Sequence, residues 1–184
     1  MLKPKNIRTE YIKNPLGIDV KNPQFSWKLQ SEDENSIRQK AYQIQVASTK
    51  TNLKNNNPDM WDSQKINSDE ITNIIYQGKE LKSRQKYYWR VRIWDENNNF
   101  SEWSQISTWE MGLLDTEDWK AEWITCENEV KDEVKPVPYF RKEFNLEKEV
   151  EKGRIYISGL GYYELYINGN KNDKKVLEPG FTDY

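Results

Sequence analysis

The sequence predicts an all-β protein, and three observations lead to that prediction. Several short segments alternate apolar and polar residues with a period of two, which is typical of strands, and the longest of them covers residues 87–94. Turn-forming residues separate these segments at the short intervals expected of a β-sandwich. No window of useful length repeats with the period of an α-helix.

The segment 87–94 is the clearest strand, and it indicates the kind of sandwich. Its two faces carry Tyr87, Trp89, Val91 and Ile93 on one side and Tyr88, Arg90, Arg92 and Trp94 on the other. Leu81 precedes Tyr87 in the pattern of a tyrosine corner, where the hydroxyl bonds to backbone upstream. We therefore expect an immunoglobulin-like sandwich; a buried tyrosine in some other β fold is the alternative.

The remaining elements of the first part follow in chain order. Residues 1–22 are predicted to be an irregular lead-in, because Pro4 and Pro15 interrupt regular structure. The loop 52–58 is rich in asparagine, and we expect it to hold no core position. The predicted strands are 25–29, 42–46, 61–66, 73–77, 87–94 and 105–111.

A second module is predicted after a linker. The first domain covers residues 1–112, the linker 113–118 and the second module 119–184, with Trp119 and Trp123 as its first anchors. Strands are expected at 139–146, 154–158 and 162–168, and Asn168-Gly169 predicts a type I′ hairpin turn. So few strands are marginal for an independent sandwich. We therefore expect the second module to be incomplete.

Composition excludes several classes of function. The chain has 184 residues, a formal net charge of −2 and no histidine. A near-neutral chain has no strong field to attract nucleic acid or an acidic membrane. The absence of histidine excludes imidazole-based metal ligation and catalysis. The single cysteine, Cys126, excludes an internal disulfide framework, and we expect it to be a small core residue.

The sequence contains no recognisable targeting or membrane segment. Residues 1–19 have scattered lysines and no apolar stretch typical of a signal peptide. No run approaches the roughly 18 apolar residues that a membrane span needs. We therefore expect a soluble, cytoplasmic protein without a membrane partner.

Aromatic and basic residues suggest one surface of interest. Ser101-Glu102-Trp103-Ser104 resembles half of the W-S-x-W-S motif of cytokine-receptor sandwiches. We predict that Arg90 or Arg92 stacks on Trp103 or Trp94, since guanidinium groups bind aromatic faces. Trp94 is also the best candidate for a sugar-stacking platform. Packing of Trp94 against the next module is the interpretation we prefer.

Segments along nearly the whole chain resemble, in order, the bacterial α-L-rhamnosidases. The matching segments are N-P-L-G-I-D at 14–19, P-Q-F-S-W at 23–27, A-Y-Q-I-Q-V-A at 41–47, W-D-S at 61–63, Y-Y-W-R-V-R-I-W-D at 87–95, S-E-W-S at 101–104, M-G-L-L at 111–114, W-K-A-E-W-I at 119–124, G-L-G-Y-Y-E-L-Y-I-N-G at 159–169 and L-E-P-G-F-T-D-Y at 177–184. The resemblance implies a fibronectin type III-like first module. It also implies that the second module is the start of a galactose-binding-like β jelly roll.

The resemblance implies that the chemistry lies elsewhere. In that family a downstream (α/α)₆ barrel hydrolyses terminal α-L-rhamnosides with inversion, so we expect no catalytic residue here. Asp115, Glu117 and Asp118 lie on the presumed linker and are expected to be solvated. In some members the second module resembles a calcium-dependent rhamnose-binding module. Asn172 and Asp173 would then be the candidate ligands for sugar and metal, beside two lysines that oppose calcium.

Three functions remain open at this point. The first is a non-catalytic N-terminal scaffold of an α-L-rhamnosidase-like hydrolase, whose partner is the downstream catalytic domain. The second is a stand-alone module that binds a rhamnose-containing saccharide. The third is a protein-interaction module, which rests on the fold and the S-E-W-S segment at 101–104. A homodimer through the edge of the shortened second module is a further expectation.

Overall fold

The computed structural model describes residues 2–31, 38–126 and 137–172. The chain divides into two units, Met1–Trp123 and Ile124–Tyr184. The division falls between Trp123 and Ile124, a few residues after the linker predicted at 113–118. Each unit is described by itself below.

The first unit is an antiparallel β-sandwich. One sheet has the order β1-β2-β6, and the other has the order β4-β3-β7-β8, with β5 also paired to β3. The elements are β1 Lys3–Thr9, β2 Gln24–Gln30, β3 Gln39–Ala47, α1 Lys50–Lys54, β4 Trp61–Asp62, β5 Ile66–Asn67, β6 Ile74–Ile75, β7 Lys86–Asp95, β8 Ser107–Glu110 and a 3₁₀ turn at Thr116–Asp118. This arrangement confirms the predicted all-β class.

Aromatic side chains fill the space between the two sheets. Phe25 from β2 lies at the centre, with ring centroids 4.3 Å from Trp89 and 5.4 Å from Trp109. The Tyr87 ring lies 5.3 Å from Trp109, and all four residues are fully buried. Such pairs add to the free energy gained by burying apolar area. The predicted inner face of β7 is confirmed, since Val91 and its alternate neighbours are also buried.

The predicted tyrosine corner is present. The Tyr87 hydroxyl accepts a hydrogen bond from the backbone N–H of Lys82 at 2.8 Å. Burial raises the pKa of the Tyr87 hydroxyl, while the bond from Lys82 partly offsets that rise. The neutral hydroxyl therefore holds the backbone before β7 at the point where the chain enters the sheet.

The prediction that residues 1–22 are irregular is wrong over Lys3–Thr9, which forms strand β1. Pro4 pairs with Leu29 of β2, and β2 is the one described strand that pairs with β1. Proline is tolerated there because an edge strand leaves half of its N–H groups unpaired. A shift in register between Lys5 and Arg8 accompanies the positive φ of 50° at Asn6. The irregularity is thus a bulge within a strand.

The segment around Pro15 also forms ordered backbone hydrogen bonds, which cover the outer edge of β8. The N–H of Glu110 donates to the Pro15 carbonyl at 3.0 Å, and the N–H of Ile18 donates to the Glu110 carbonyl at 3.1 Å. The Asn14 side-chain oxygen accepts from the Ser107 hydroxyl at 2.8 Å and from the N–H of Thr108 at 3.0 Å. These bonds satisfy backbone groups that an edge strand would otherwise expose.

The asparagine-rich loop contains a core residue, so the expectation for 52–58 is wrong. Leu53 is fully buried within helix α1. Thr49 is the N-cap of the helix, and its hydroxyl accepts from the N–H of Asn52 at 3.1 Å. Such a cap stabilises the first turn of a short helix. One apolar residue among polar neighbours is enough to anchor the turn, although it gives no periodic signal.

Strand bounds are shorter than predicted on the edges of the sandwich. The segment 61–66 consists of β4 and β5, which pair with different parts of β3. Gln64, between them, has a positive φ of 53°. The strands predicted at 73–77 and 105–111 shrink to β6 and β8. Edge positions lack a second partner, so the ladder ends sooner there.

The described residues of the second unit, 124–126 and 137–172, contain one hairpin. Strand β9, Tyr166–Ile167, pairs with β10, Asn170–Lys171. Asn168 and Gly169 between them have φ angles of 49° and 78°, which confirms the predicted type I′ turn.

The strands predicted at 139–146 and 154–158 are absent, and those predictions are wrong. Tyr139 is 83 % exposed and Phe144 is 72 % exposed, so no packed layer covers their side chains. A strand needs a second strand to pair with, and none of the described strands pairs with either segment.

Two further expectations near the start of this region are also wrong. Trp119 and Trp123 do not anchor a core, because they are 40 % and 70 % exposed. Cys126 is exposed rather than buried in a core.

Among the described residues, no helix is both long and apolar enough to cross a membrane.

The tyrosine corner gives a prediction for stability. Tyr87→Phe removes the acceptor for the Lys82 N–H, and we expect the free energy of unfolding to fall by about 1–2 kcal/mol. Urea denaturation followed by tryptophan fluorescence measures the change. Tyr88→Phe is the matched control, because Tyr88 lies on the outer face of β7. Equal losses in the two variants would show that the corner bond has no special role.

Candidate functional site

The outer face of the larger sheet carries an arginine–tryptophan ladder, formed by Arg90, Arg92, Trp94 and Trp103. The first three lie at alternate positions of β7, opposite its buried face. Trp103 comes from the segment between β7 and β8. Because residues of one strand alternate between its faces, the same strand builds both the core and the ladder.

Two serines fix the segment that carries Trp103. The Ser101 hydroxyl accepts from the N–H of Ile93 at 3.1 Å, and the Ser104 hydroxyl accepts from the N–H of Val91 at 3.1 Å. The N–H groups of the same two serines donate to the carbonyls of Ile93 and Val91. The serine side chains thus replace strand-to-strand bonds. This explains the Ser-x-x-Ser spacing around Trp103.

The predicted stacking of arginine on tryptophan is confirmed. The Arg90 guanidinium carbon lies 4.3 Å from the ring centroid of Trp103. The Arg92 guanidinium carbon lies 4.7 Å from Trp103 and 5.0 Å from Trp94. It also lies 5.7 Å from the ring of Phe100. Arg92 therefore contacts aromatic rings from two separate segments.

Two glutamines of β3 orient the arginines, and our sequence reasoning missed them. The Gln45 side-chain oxygen accepts from Nε and Nη2 of Arg90 at 3.1 and 2.7 Å. The Gln43 side-chain oxygen accepts from Nε of Arg92 at 2.9 Å. Gln43 lies opposite Arg92, and Gln45 lies opposite Arg90, in the β3–β7 register. The available signal was the Gln-x-Gln spacing within a strand whose other face is apolar.

One carboxylate completes this network. Asp62 of β4 accepts from the side-chain amide of Gln43 at 2.7 Å and from that of Gln45 at 2.9 Å. Each amide therefore directs its N–H group to Asp62 and its oxygen to an arginine. This pattern fixes both glutamine side chains in one orientation.

Burial and neighbouring charges both change the pKa of the Arg90 guanidinium. Arg90 is 8 % exposed. Burial lowers the pKa of its guanidinium, the neighbouring Arg92 charge lowers it further, and Asp62 raises it in part. An arginine remains charged despite such shifts. Its Nη2 also donates to the Asn56 side-chain oxygen at 2.6 Å. The buried charge is thus matched by hydrogen bonds on several sides.

The predicted carbohydrate-binding residues lie in two different units. Trp94 is 9 % exposed, and Lys65 Nζ lies 4.9 Å from its ring centroid. Asn172 follows strand β10, and its N–H donates to the Leu165 carbonyl at 2.9 Å. Asp173 lies outside the described residues. Carbohydrate binding by these residues stays a prediction.

Two of the three acidic residues of the presumed linker make local contacts. Asp115 forms an ion pair with Lys21 at 2.9 Å, and Glu117 is exposed. Asp118 accepts a hydrogen bond from the Ser83 hydroxyl, which lowers the pKa of this carboxyl. Across residues 2–31, 38–126 and 137–172, no three His, Cys, Asp or Glu side chains group as a metal site would require.

Comparison with known proteins places the sandwich in a family. A family model described as the Rha78A-like, N-terminal immunoglobulin domain matches residues 4–115. The chain belongs to this family. A second model, the alpha-L-rhamnosidase N-terminal domain, matches residues 148–184. Both matches agree with the resemblance found in the sequence.

Curated relatives of this family support the assignment. The chain is 42 % identical over 193 residues to an alpha-L-rhamnosidase of Alteromonas sp. (strain LOR), covering 99 % of this chain and 20 % of the relative. It is 43 % identical over 183 residues to an alpha-L-rhamnosidase of Formosa agariphila, covering 96 % of this chain and 20 % of the relative. The chain therefore spans about a fifth of the length of these relatives.

A solved structure of the same family shares the fold. The Streptomyces avermitilis alpha-L-rhamnosidase complexed with L-rhamnose matches with a TM-score of 0.64 and 42 % sequence identity. The match covers 68 % of this chain and 12 % of that structure. The region described here thus corresponds to a small part of a much larger protein.

The ladder gives a prediction for the coupling between its members. In a double-mutant cycle of Arg90→Ala and Trp103→Ala, we expect a coupling free energy of about 1 kcal/mol, because the stacked pair is partly desolvated. Urea unfolding of the parent, both single variants and the double variant measures it. The control cycle combines Arg90→Ala with Phe100→Ala, and no ring contact joins that described pair. A coupling of the same size in both cycles would contradict the stacking interpretation.

Proposed function

We propose that this chain is the non-catalytic N-terminal region of an α-L-rhamnosidase-like glycoside hydrolase. The observation that carries the proposal is the order of the two family matches along one chain, at 4–115 and 148–184. Relatives that match over nearly all of this chain are about five times longer. The parent enzyme would hydrolyse terminal α-L-rhamnosides with inversion, as the resemblance implies.

The contacts of the acidic residues support a non-catalytic role. Inversion needs two carboxyl groups roughly 6.5–9.5 Å apart, one acting as acid and one as base, on a rigid scaffold. Asp115 and Asp118 are two acids close together in sequence. Asp115 pairs with Lys21, and Asp118 binds the Ser83 hydroxyl, so both serve local structure.

The exposed apolar residues of the second unit support a larger assembly. Within 137–172, large apolar side chains stay exposed, which is costly for a folded module in water. We infer that polypeptide from the remainder of the parent enzyme covers them and completes a β jelly roll. The residues concerned are Val137, Tyr139, Phe140, Phe144, Leu146, Val150, Ile155, Ile157, Leu160, Tyr162, Tyr166 and Ile167.

The sandwich then acts as a rigid spacer that orients the downstream catalytic domain. The ladder supports this role, because hydrogen bonds and stacking fix the side chains on the outer face of β7. A cytoplasmic location and a homodimer through the second unit belong to the same proposal. The dimer applies to the 184-residue chain without the rest of the parent enzyme, where the exposed apolar residues of two copies would cover each other instead.

A second candidate function is saccharide binding by the second unit. The observation that favours it is the hairpin β9–β10, which ends beside Asn172 within the segment matched by the alpha-L-rhamnosidase N-terminal domain. Calcium would be its cofactor if Asn172 and Asp173 supply oxygen ligands. A protein-interaction module is the remaining alternative, and it would require a partner retained at physiological salt.

The proposed function predicts no catalysis by the 184-residue chain. We expect no release of the aryl group from an aryl α-L-rhamnoside, measured by absorbance over hours. The full-length Alteromonas relative is the positive control under the same conditions. Turnover proportional to the concentration of this chain, and lost in Asp115→Asn or Asp118→Asn, would overturn the proposal.

Calorimetric titration with L-rhamnose separates the two candidate functions. For a scaffold, we expect no heat of binding at millimolar sugar, with or without calcium. Heat that saturates, depends on calcium and disappears in Asn172→Ala would instead support the saccharide-binding module. Trp94→Phe distinguishes a site on the sandwich, because it would reduce binding only if Trp94 stacks on the sugar.

A further inference from the structure

Arg92 is held in place while part of its hydrogen-bonding capacity stays unused. Its guanidinium carbon lies 4.7 Å from the Trp103 ring and 5.0 Å from the Trp94 ring. Its Nε donates to the Gln43 side-chain oxygen at 2.9 Å. Among the described residues, Nη1 and Nη2 of Arg92 donate to no acceptor, and neither is a buried unpaired atom. Neither terminal nitrogen is therefore completely buried.

This arrangement differs from that of the neighbouring arginine. Arg90 uses Nη2 for two internal acceptors, Gln45 and Asn56, and is buried. Arg92 is only half-buried and uses Nε alone. The two arginines share one network, but only Arg92 keeps its forked end available. A guanidinium fork matches the two oxygens of a carboxylate.

The local charge favours an anion at this position. Arg90 and Lys65 lie close to the same aromatic rings as Arg92. The Asp62 oxygens already accept from Gln43 and Gln45, at 2.7 and 2.9 Å. Among the described residues, no hydrogen bond or ion pair joins Arg92 to this carboxylate. Fixed donors in a partly desolvated setting bind anions better than flexible, fully hydrated ones.

We propose that Arg92 binds a carboxylate through its free Nη1 and Nη2 groups, in a site bordered by Phe100 and Trp103. Phe100 is 56 % exposed beside the guanidinium, so the carbon skeleton of the ligand gains an apolar contact there. The ligand class is thus a carboxylate attached to a body rich in C–H groups. A uronic acid and an acidic side chain share this chemistry. The proposal does not depend on the proposed function.

The test is a titration of the full 184-residue chain observed by two-dimensional ¹H–¹⁵N spectroscopy. The signals followed are the Arg92 Nε–Hε group and the Trp103 indole N–H. Sodium acetate, sodium glucuronate and a blocked glutamate peptide are added at constant ionic strength, and sodium chloride is the salt control. We expect saturable shifts with carboxylates up to about 100 mM, which is the range of weak ligands, and none with chloride.

Two variants test whether Arg92 is the residue that binds the carboxylate. Arg92→Lys keeps the charge but removes the fork, and we expect the affinity, read from the Trp103 indole signal, to fall about tenfold. Arg38→Lys is the matched control, because Arg38 is exposed and belongs to no part of the ladder. If Arg92→Lys fails to fold, the Arg92 Nε–Hε signal of the parent chain gives the answer directly.

The relative affinities show which class of ligand the site prefers, and three results would refute the proposal. Tighter binding of glucuronate than of the peptide assigns the site to an acidic sugar, and the reverse order assigns it to an acidic protein segment. Shifts that do not saturate, that chloride reproduces, or that Arg92→Lys leaves unchanged would overturn the proposal.

Discussion

The pairing of β3 with β7 is the constraint on which the rest of the sandwich depends. Eight residue pairs fix the register from Gln39 opposite Asp95 to Ala47 opposite Tyr88. On the inner side, this register brings Val46 opposite Trp89 within the aromatic core. On the outer side, it brings Gln45 opposite Arg90. A shift of this register by one residue would exchange the side chains of the inner and outer faces. The core and the ladder therefore both depend on the same register.

Much of the sandwich could be predicted because its signals are local. Alternation within 87–94 shows which side chains face inward, and the Tyr87 hydroxyl reaches backbone only five residues away. The Asn168-Gly169 turn depends on the backbone freedom of two adjacent residues. The stacking of arginine on Trp103 was predictable because the S-E-W-S segment follows the arginine-bearing strand. In each case, neighbours in sequence determine the interaction.

What could not be predicted depends on partners distant in sequence. To predict the hydrogen bonds that Gln43 and Gln45 donate to Asp62, one must know that β4 flanks β3. Pro4 fits into a strand only because β1 lies at an edge, which is a property of the whole sheet. Tyr139 and Phe144 lie in a segment for which a strand was predicted but none is present, and both side chains are exposed. Their alternating pattern indicates a strand, yet a pattern alone supplies no neighbour to pair with.

The segment that runs from β1 to Ile18 has a consequence for how the protein stays in solution. It occupies one flank of each sheet, through the pairing of β1 with β2 and through the bonds between Pro15 and Glu110. In a shortened protein beginning at the next strand, the outer edge of β8 would lose its cover, and β2 would become an open edge without the proline and the bulge that interrupt β1. Backbone groups at such edges are free to recruit strands from other molecules. Such recruitment is the first step towards fibrils and precipitates. The leading residues therefore act as a guard against self-association.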